Sequence, residues 1–253
     1  MVFLRVQRSK TYAKDPKTSQ RNHLFALDRN RQSFFGFKVY AYLKCLVMSG
    51  KGKVCLVSCS VLKDELKRLV QEGRLDAELV FVSKYFHVEY AEVEKNLRKV
   101  LEATLKRFTG KVVVVYGDLC LGQNGEMKKL TDEYGVEKVD AANCVDCQLG
   151  GGGKFFEADP EHNLLFMGPG MIEFFKGMKE KMLRQGVDEA AFAGMFSGIK
   201  GIVLLDTCGN SKKCLEELEA SGLGLPILEV KAVGLENVLS VVDEAIKKSN
   251  CKT

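Results

Sequence analysis

Three apolar, mostly β-branched runs in this sequence are typical of buried strands, and each delivers a cysteine near its end: Cys59, Cys120 and Cys208. In an open parallel sheet the carboxyl ends of the strands meet at one edge, which is where ligands bind. The helices that follow such strands begin at the same edge, and a helix N-terminus lowers the pKa of a nearby thiol. Since the thiolate is the form that binds a metal or attacks an electrophile, we expect thiol chemistry at this edge.

A fourth cysteine, Cys147, lies in NCVDCQLGGGG, where it forms a CxxC pair with Cys144. One such pair is a weak zinc signal, because zinc sites normally use two. We predict that Cys59, Cys120 and Cys147 bind one metal ion, zinc or iron, or an iron–sulfur cluster. Whether Cys144 or Cys208 joins them stays open.

Other side chains with possible catalytic roles stand beside these thiols. His87 follows the second strand and so reaches the same edge, although a lone histidine is more often a hydrogen-bonded loop residue. Asp118 and Asp146 stand close to cysteines and are candidates for acid–base or ligand-orienting groups. The predicted catalytic set is Cys59, Cys120, Cys147, Asp146 and His87.

Two glycine-rich stretches could approach a ligand. The run 150–153 precedes Lys154 but matches neither phosphate-binding motif, GxxxxGK[ST] or GxGxxG, so a flexible loop is the better interpretation. The turn MGPGMIEFF opens a helix, and it either places Gly168 and Gly170 against a ligand or only turns the chain.

The elements that must position these residues alternate regularly from Lys53 onward. The patterns predict strands at 54–59, 77–84, 111–117, 137–140, 201–206 and 226–232. They predict helices at 60–73, 90–108, 124–135, 171–185, 188–197, 211–222 and 234–249, with a loop-rich centre at 141–170. This alternation favours an α/β fold, an open, doubly wound, mainly parallel sheet with helices on both faces, similar to a Rossmann fold.

Composition limits the setting. The chain has 253 residues and nine cysteines, and it shows neither a secretory signal nor an apolar run long enough to span a membrane. We therefore predict a cytoplasmic protein with reduced thiols. Cys55, inside a strand, and Cys251, near the chain end, are expected to have no chemical role.

The net charge of +5 comes entirely from residues 1–48, which contain ten Lys and Arg and only two Asp. That segment could be a nucleic-acid arm, a membrane-surface anchor or an extension foreign to the native protein, with translation beginning at Met48. We predict a single α/β domain at 49–253. Without the extension no basic excess remains, so we expect no nucleic-acid or membrane partner.

The order of motifs LVSCSVLKDEL, a histidine after the second strand, YGDLC, DCQLGGG, a GPG turn and LLDT resembles a known family over about 53–245. It is domain of unknown function 1638, found in bacteria and methane-producing archaea (methanogens). The family's motif positions fall at Cys59, His87, Cys120, Asp146 and Cys147, and its glycines at Gly117, Gly122 and Gly150. The resemblance implies ligand-binding roles for these glycines and a supporting role in corrinoid-dependent methyl-group metabolism, with a corrinoid or a methyltransferase protein as partner.

Three functions follow from these patterns. The first is a thiolate-bound metal or iron–sulfur centre, with one coordination position open for a small-molecule ligand. The second is a metal-independent cysteine enzyme assisted by Asp146 or His87. The third is a binding module for a small anion or corrinoid, which would use the glycine-rich turns at 117–125 and 150–153 without chemistry.

Overall fold

The computed structural model describes residues 54–250, apart from the side chain of Val88. These residues belong to one compact unit. The predicted extension 1–48 and Cys251 lie outside the described residues, so the predicted domain boundary stays a prediction. None of the helices described within 54–250 has both the length and the apolar character of a membrane span.

Seven strands of the described chain form two parallel sheets, the first in the order β2-β1-β3-β4 and the second in the order β5-β6-β7. Their bounds are β1 Val54–Cys59, β2 Glu78–Val82, β3 Lys111–Val115, β4 Glu137–Lys138, β5 Leu164–Met167, β6 Gly201–Asp206 and β7 Ile227–Ala232. The predicted α/β class, with parallel strands and helices around them, is confirmed. The division into two sheets was not visible in the sequence.

Helices connect the strands and cover the sheets. Nine α-helices are described: α1 Lys63–Gln71, α2 Tyr90–Arg107, α3 Glu126–Glu133, α4 Cys144–Leu149, α5 Lys154–Ala158, α6 Pro169–Arg184, α7 Glu189–Gly194, α8 Ser211–Ser221 and α9 Glu236–Asn250. A short 3-10 helix follows each of β1, β2 and β3, at Ser60–Leu62, Lys84–Val88 and Asp118–Cys120. Parallel strands need crossover helices, which return the chain to the edge where the strands begin. All strands therefore end at the opposite, carboxyl edge of the sheet.

The core lies where the apolar strands meet the helices. All six residues of β1 are buried, as a central parallel strand covered on both faces requires. In α1, Leu66 and Leu69 are fully buried on the side that faces the sheet. The last helix, α9, returns to the first sheet and packs against β3, β4 and α4.

The predicted loop-rich centre at 141–170 is wrong, because it contains α4, α5 and β5. All six residues of α4 are buried, so the helix has no polar face that could produce a helical periodicity. Glycines 150–153 all have positive φ and form the turn between α4 and α5. Hydrogen bonds hold this turn, including one from Gly151 N–H to the Asp146 carbonyl at 2.7 Å.

Candidate functional site

Four cysteines line one small cavity at the carboxyl edge of the first sheet: Cys59, Cys120, Cys144 and Cys147. The cavity has a volume of about 10 Å³, which is room for one water molecule or one ion. The structure therefore brings the three predicted thiols together and adds Cys144. The four come from three separate segments of the chain.

Strand pairing places these thiols. Cys59 is the last residue of β1, and Cys120 ends the short helix after β3, the strand that pairs with β1. Cys144 and Cys147 stand on α4, whose N-cap Asn143 accepts a hydrogen bond from Asp146 N–H at 2.9 Å. The carboxyl ends of the two strands and the beginning of α4 thus surround the same space.

Cys59 has the most elaborate surroundings of the four. Its Sγ lies 3.6 Å from Nδ1 of His87 and accepts a hydrogen bond from Val61 N–H at 3.4 Å. The Tyr116 side chain also hydrogen bonds to this thiol, and the His87 and Tyr116 rings meet edge to face at 5.8 Å. His87 is therefore a neighbour of the predicted thiol, as its position after β2 suggested.

Burial keeps His87 uncharged at neutral pH. The side chain is 5% exposed, and desolvation lowers the imidazole pKa from 6.5 to about 4. The ring atom Nε2 is buried and has no hydrogen-bond partner among the described residues. A neutral imidazole with one unpaired nitrogen can bind a metal, accept a proton or donate a hydrogen bond.

Burial also keeps the four thiols protonated unless a cation is present. Desolvation raises the pKa of Cys120 to about 11 and that of Cys144 to about 12. The pKa values of Cys59 and Cys147 are also raised, first by burial and then by the repulsion of Cys144. Cys120 differs from the other three because the positive charge of Lys138 opposes the rise of its pKa.

The donors of this cavity fit a thiolate-bound metal in chemistry but are not arranged for coordination. Within residues 54–250, no group of three or more His, Cys, Asp or Glu side chains is placed to hold a metal ion. The cavity nevertheless offers four soft sulfur donors around a space of single-ion size.

The predicted ligand-binding glycines mostly allow chain segments to pack closely. Gly117 lines the cavity, and a Cβ there would overlap the backbone of Ala142 and Asn143. A Cβ at Gly170 would overlap the Val61 carbonyl oxygen, and one at Gly168 would meet the Gln148 side chain.

Gly122 and Gly150 lie against side chains near them in sequence, those of Glu126 and Lys154. Neither of them lines the thiol cavity, nor do Gly168 and Gly170. The cofactor-binding role of these glycines stays a prediction.

Asp146 is fully buried, and its carboxylate accepts hydrogen bonds from the backbone N–H groups of Ala142, Gly153 and Phe155 at 2.7, 3.1 and 2.8 Å. These bonds occupy both oxygens. The arrangement favours a structural role, fixing the turn after α4, over the predicted acid–base role. Asp118 is half exposed and pairs with Lys138 at 3.0 Å.

A second buried polar group, Glu65 of α1, was not predicted from the sequence. Its Oε1 accepts hydrogen bonds from Gln148 Nε2 and Thr207 Oγ1, both at 2.8 Å, while its Oε2 and Gln148 Oε1 are buried without partners. Burial raises the pKa of this carboxyl. A signal existed, because Glu65 falls at helical spacing between Leu62 and Leu69 on the apolar side of α1.

Three other cysteines do not line the cavity. Cys55 is buried in β1 and Cys214 in α8, as expected of packing residues. Cys208 follows β6 in the second sheet, where its carbonyl accepts a hydrogen bond from Arg68 and its Sγ lies 3.6 Å from Thr207 Oγ1. Of the two undecided cysteines, the structure brings in Cys144 and leaves Cys208 out.

Comparison with known protein families identifies a relationship that covers more than half of the chain. A family model described as "Protein of unknown function (DUF1638)" matches residues 81–238, which include His87, Cys120, Cys144 and Cys147 but not Cys59. No curated protein matches the chain.

Proposed function

The chain belongs to the DUF1638 family of proteins of unknown function, and we propose that it binds a metal ion, zinc or iron, through the thiolates of Cys59, Cys120 and Cys147, with Cys144 as a fourth ligand. One observation carries the proposal: four buried cysteines from separate segments line a single cavity of ion size. The size of the cavity favours one ion over an iron–sulfur cluster, which would require the cavity walls to move apart.

The electrostatics of the site support a cation as the missing component. Burial raises the pKa of each thiol, and the thiolates would repel one another. A bound metal reverses both effects, because its charge favours the deprotonated ligands and makes neighbouring thiolates compatible. Binding would therefore release protons from these cysteines.

Coordination requires a local adjustment of side chains. Thiolate–metal bonds are about 2.3 Å long. Among the described residues, the cysteine sulfurs are not arranged around a common point at bonding distance. A cysteine thiol moves by rotation about a single bond, so the sulfurs can turn inward while the backbone stays in place. His87, beside Cys59, would orient that thiol through Nδ1.

The number of ligands separates two uses of the centre. Three cysteines would leave one position open for a small-molecule ligand, as in catalytic zinc sites, whereas four would close the coordination sphere. Because Cys144 lines the same cavity, the geometry favours the closed form, a binding or electron-transfer centre.

The two other functions receive less support. A catalytic cysteine needs a lowered pKa and access to substrate, but these thiols are at most 6% exposed and their pKa values are raised. A module that binds anions through glycines would need free backbone amides, yet glycines 151–153 donate theirs to other parts of the chain. A corrinoid or methyltransferase partner and a cytoplasmic location stay predictions.

The test is metal analysis of protein purified without oxygen, combined with a visible absorption spectrum. We expect about one zinc or iron per chain in the wild type and its loss in Cys120→Ser and Cys144→Ser. Cys214→Ser and Cys55→Ser are matched controls, because both cysteines are buried but lie outside the cavity. Circular dichroism checks that each variant is folded.

Two results would contradict the proposal. One is a folded wild-type protein that stays free of metal after anaerobic purification and incubation with zinc or ferrous iron. The other is a Cys120→Ser variant that keeps the full metal content. If only the Cys144 variant keeps it, the centre has three protein ligands and an open position.

A further inference from the structure

The strand β7 forms one edge of the second sheet and is exposed along most of its length. It pairs with β6 alone among the described strands, and every residue after Ile227 is exposed. Leu228 and Val230 are 53% and 44% exposed, which makes them two of the few large apolar side chains on the described surface. An edge strand of this kind offers unpaired N–H and C=O groups to another strand.

The order of side chains along β7 is complementary to itself. Glu229 and Lys231 flank Val230, and neither forms a salt bridge within residues 54–250. If two copies of β7 pair antiparallel with the twofold axis at Val230, Glu229 of each copy lies opposite Lys231 of the other. The two Val230 side chains then meet at the axis.

We propose that two copies of this chain associate through antiparallel pairing of their β7 strands, which joins the two three-stranded sheets into one sheet of six. A twofold interface uses the same patch on both protomers, so a single strand with this charge order satisfies both sides at once. Directly opposed charges and apolar pairs stabilise an antiparallel ladder.

The charge order also selects this pairing against others. Parallel pairing in register would place Glu229 against Glu229 and Lys231 against Lys231, which is repulsive. The pairing between β6 and β7 skips Leu228, because Ile202 lies opposite Ile227 and Val203 opposite Glu229. The segment from Glu229 to Ala232 keeps a regular register and can accept a new strand. No residue of β7 lines the thiol cavity, so dimer formation and metal binding can be tested separately.

The experiment measures mass in solution by sedimentation equilibrium on the full chain. The wild type should have twice the chain mass of 28.1 kDa. Glu229→Lys and Lys231→Glu each convert two attractive pairs into repulsive ones, so each should weaken dimerisation at least about tenfold. The double variant carrying both changes restores complementary charges and should restore the dimer.

The control is Glu219→Lys, which makes the same charge change at an exposed position of α8 and should leave the dimer intact. A wild type that is monomeric at millimolar concentration would overturn the proposal, as would a dimer that resists both single substitutions. Failure of the double variant to recover, while it stays folded, would show that the two charges do not face each other. That result would also overturn the proposed register.

Discussion

At the scale of single residues, burial decides the protonation of the groups around the cavity. The thiols predicted at the ligand-binding edge of the sheet are almost fully buried, so their pKa values rise. His87 is affected in the opposite sense, because desolvation disfavours its charged form. In the protein without bound metal, the cavity is therefore surrounded by neutral donors at pH 7.

The imidazole of His87 should titrate far below an ordinary histidine. We expect proton NMR to give it a midpoint near the value of about 4 that burial produces. Because its pKa is lower in the folded state, the unfolded chain binds the proton more readily. The contribution of this residue to the free energy of unfolding is complete above pH 6.5. Roughly 3 kcal/mol of it is lost as the pH falls from 6.5 through about 4.

Replacement by glutamine isolates this effect. His87→Gln should lose less free energy of unfolding than the wild type between pH 6.5 and 4, as measured by urea denaturation at each pH. The buried Glu65 has a raised pKa, so its contribution has the opposite slope and is common to both proteins. A His87 midpoint near 6.5 would show that the side chain is solvated and that this account of its burial is wrong.

At the scale of elements, the site depends on close packing between helix starts and strand ends. The beginning of α6 packs against the 3-10 helix Ser60–Leu62, directly after Cys59. Gly170 makes this approach possible, because any side chain there would overlap the Val61 carbonyl. The GPG turn therefore supports the segment that carries a candidate ligand.

We expect Gly170→Ala to reduce the free energy of unfolding by about 2–3 kcal/mol, since the helix and the segment after β1 must move apart. Gly194→Ala is the matched control. It lies at the end of α7 with nothing within contact distance, so it should be neutral or stabilising by up to about 1 kcal/mol. Equal unfolding midpoints in urea for both variants would contradict the proposed packing role.

At the scale of the whole molecule, the cavity joins parts of the chain that are distant in sequence. It connects β1 and the segment after β3 to α4, and α9 packs on both β3 and α4. A ligand held by these parts binds only the folded state, and such a ligand stabilises the fold as a whole. Metal binding and global stability should therefore be coupled.

Metal removal gives the corresponding prediction, which depends on the proposed function. A strong chelator should lower the thermal unfolding midpoint of wild-type protein, and zinc or ferrous iron at 100 times its dissociation constant should restore about 2.7 kcal/mol. Cys120→Ser should show no response to either treatment. A chelator that removes bound metal without changing the midpoint would show that the metal does not bridge these segments.

The sequence by itself determined the framework of the site. Buried parallel strands show continuous apolar runs, so β1 and β6 were located to the residue. Because parallel crossovers make every strand run in the same direction, the sequence alone predicts that Cys59 and Cys120 lie at one edge. The same rule placed His87 beside them.

Only the tertiary structure decided which side chains enter the cavity. The helix α4 is too short and too fully buried to produce a periodic pattern, so the inclusion of Cys144 and the structural use of Asp146 were not readable. Cys208 met the same sequence criterion as Cys59, but it stands on the second sheet. Strand order and burial arise from contacts between distant segments, and a local pattern of residue types carries no information about them.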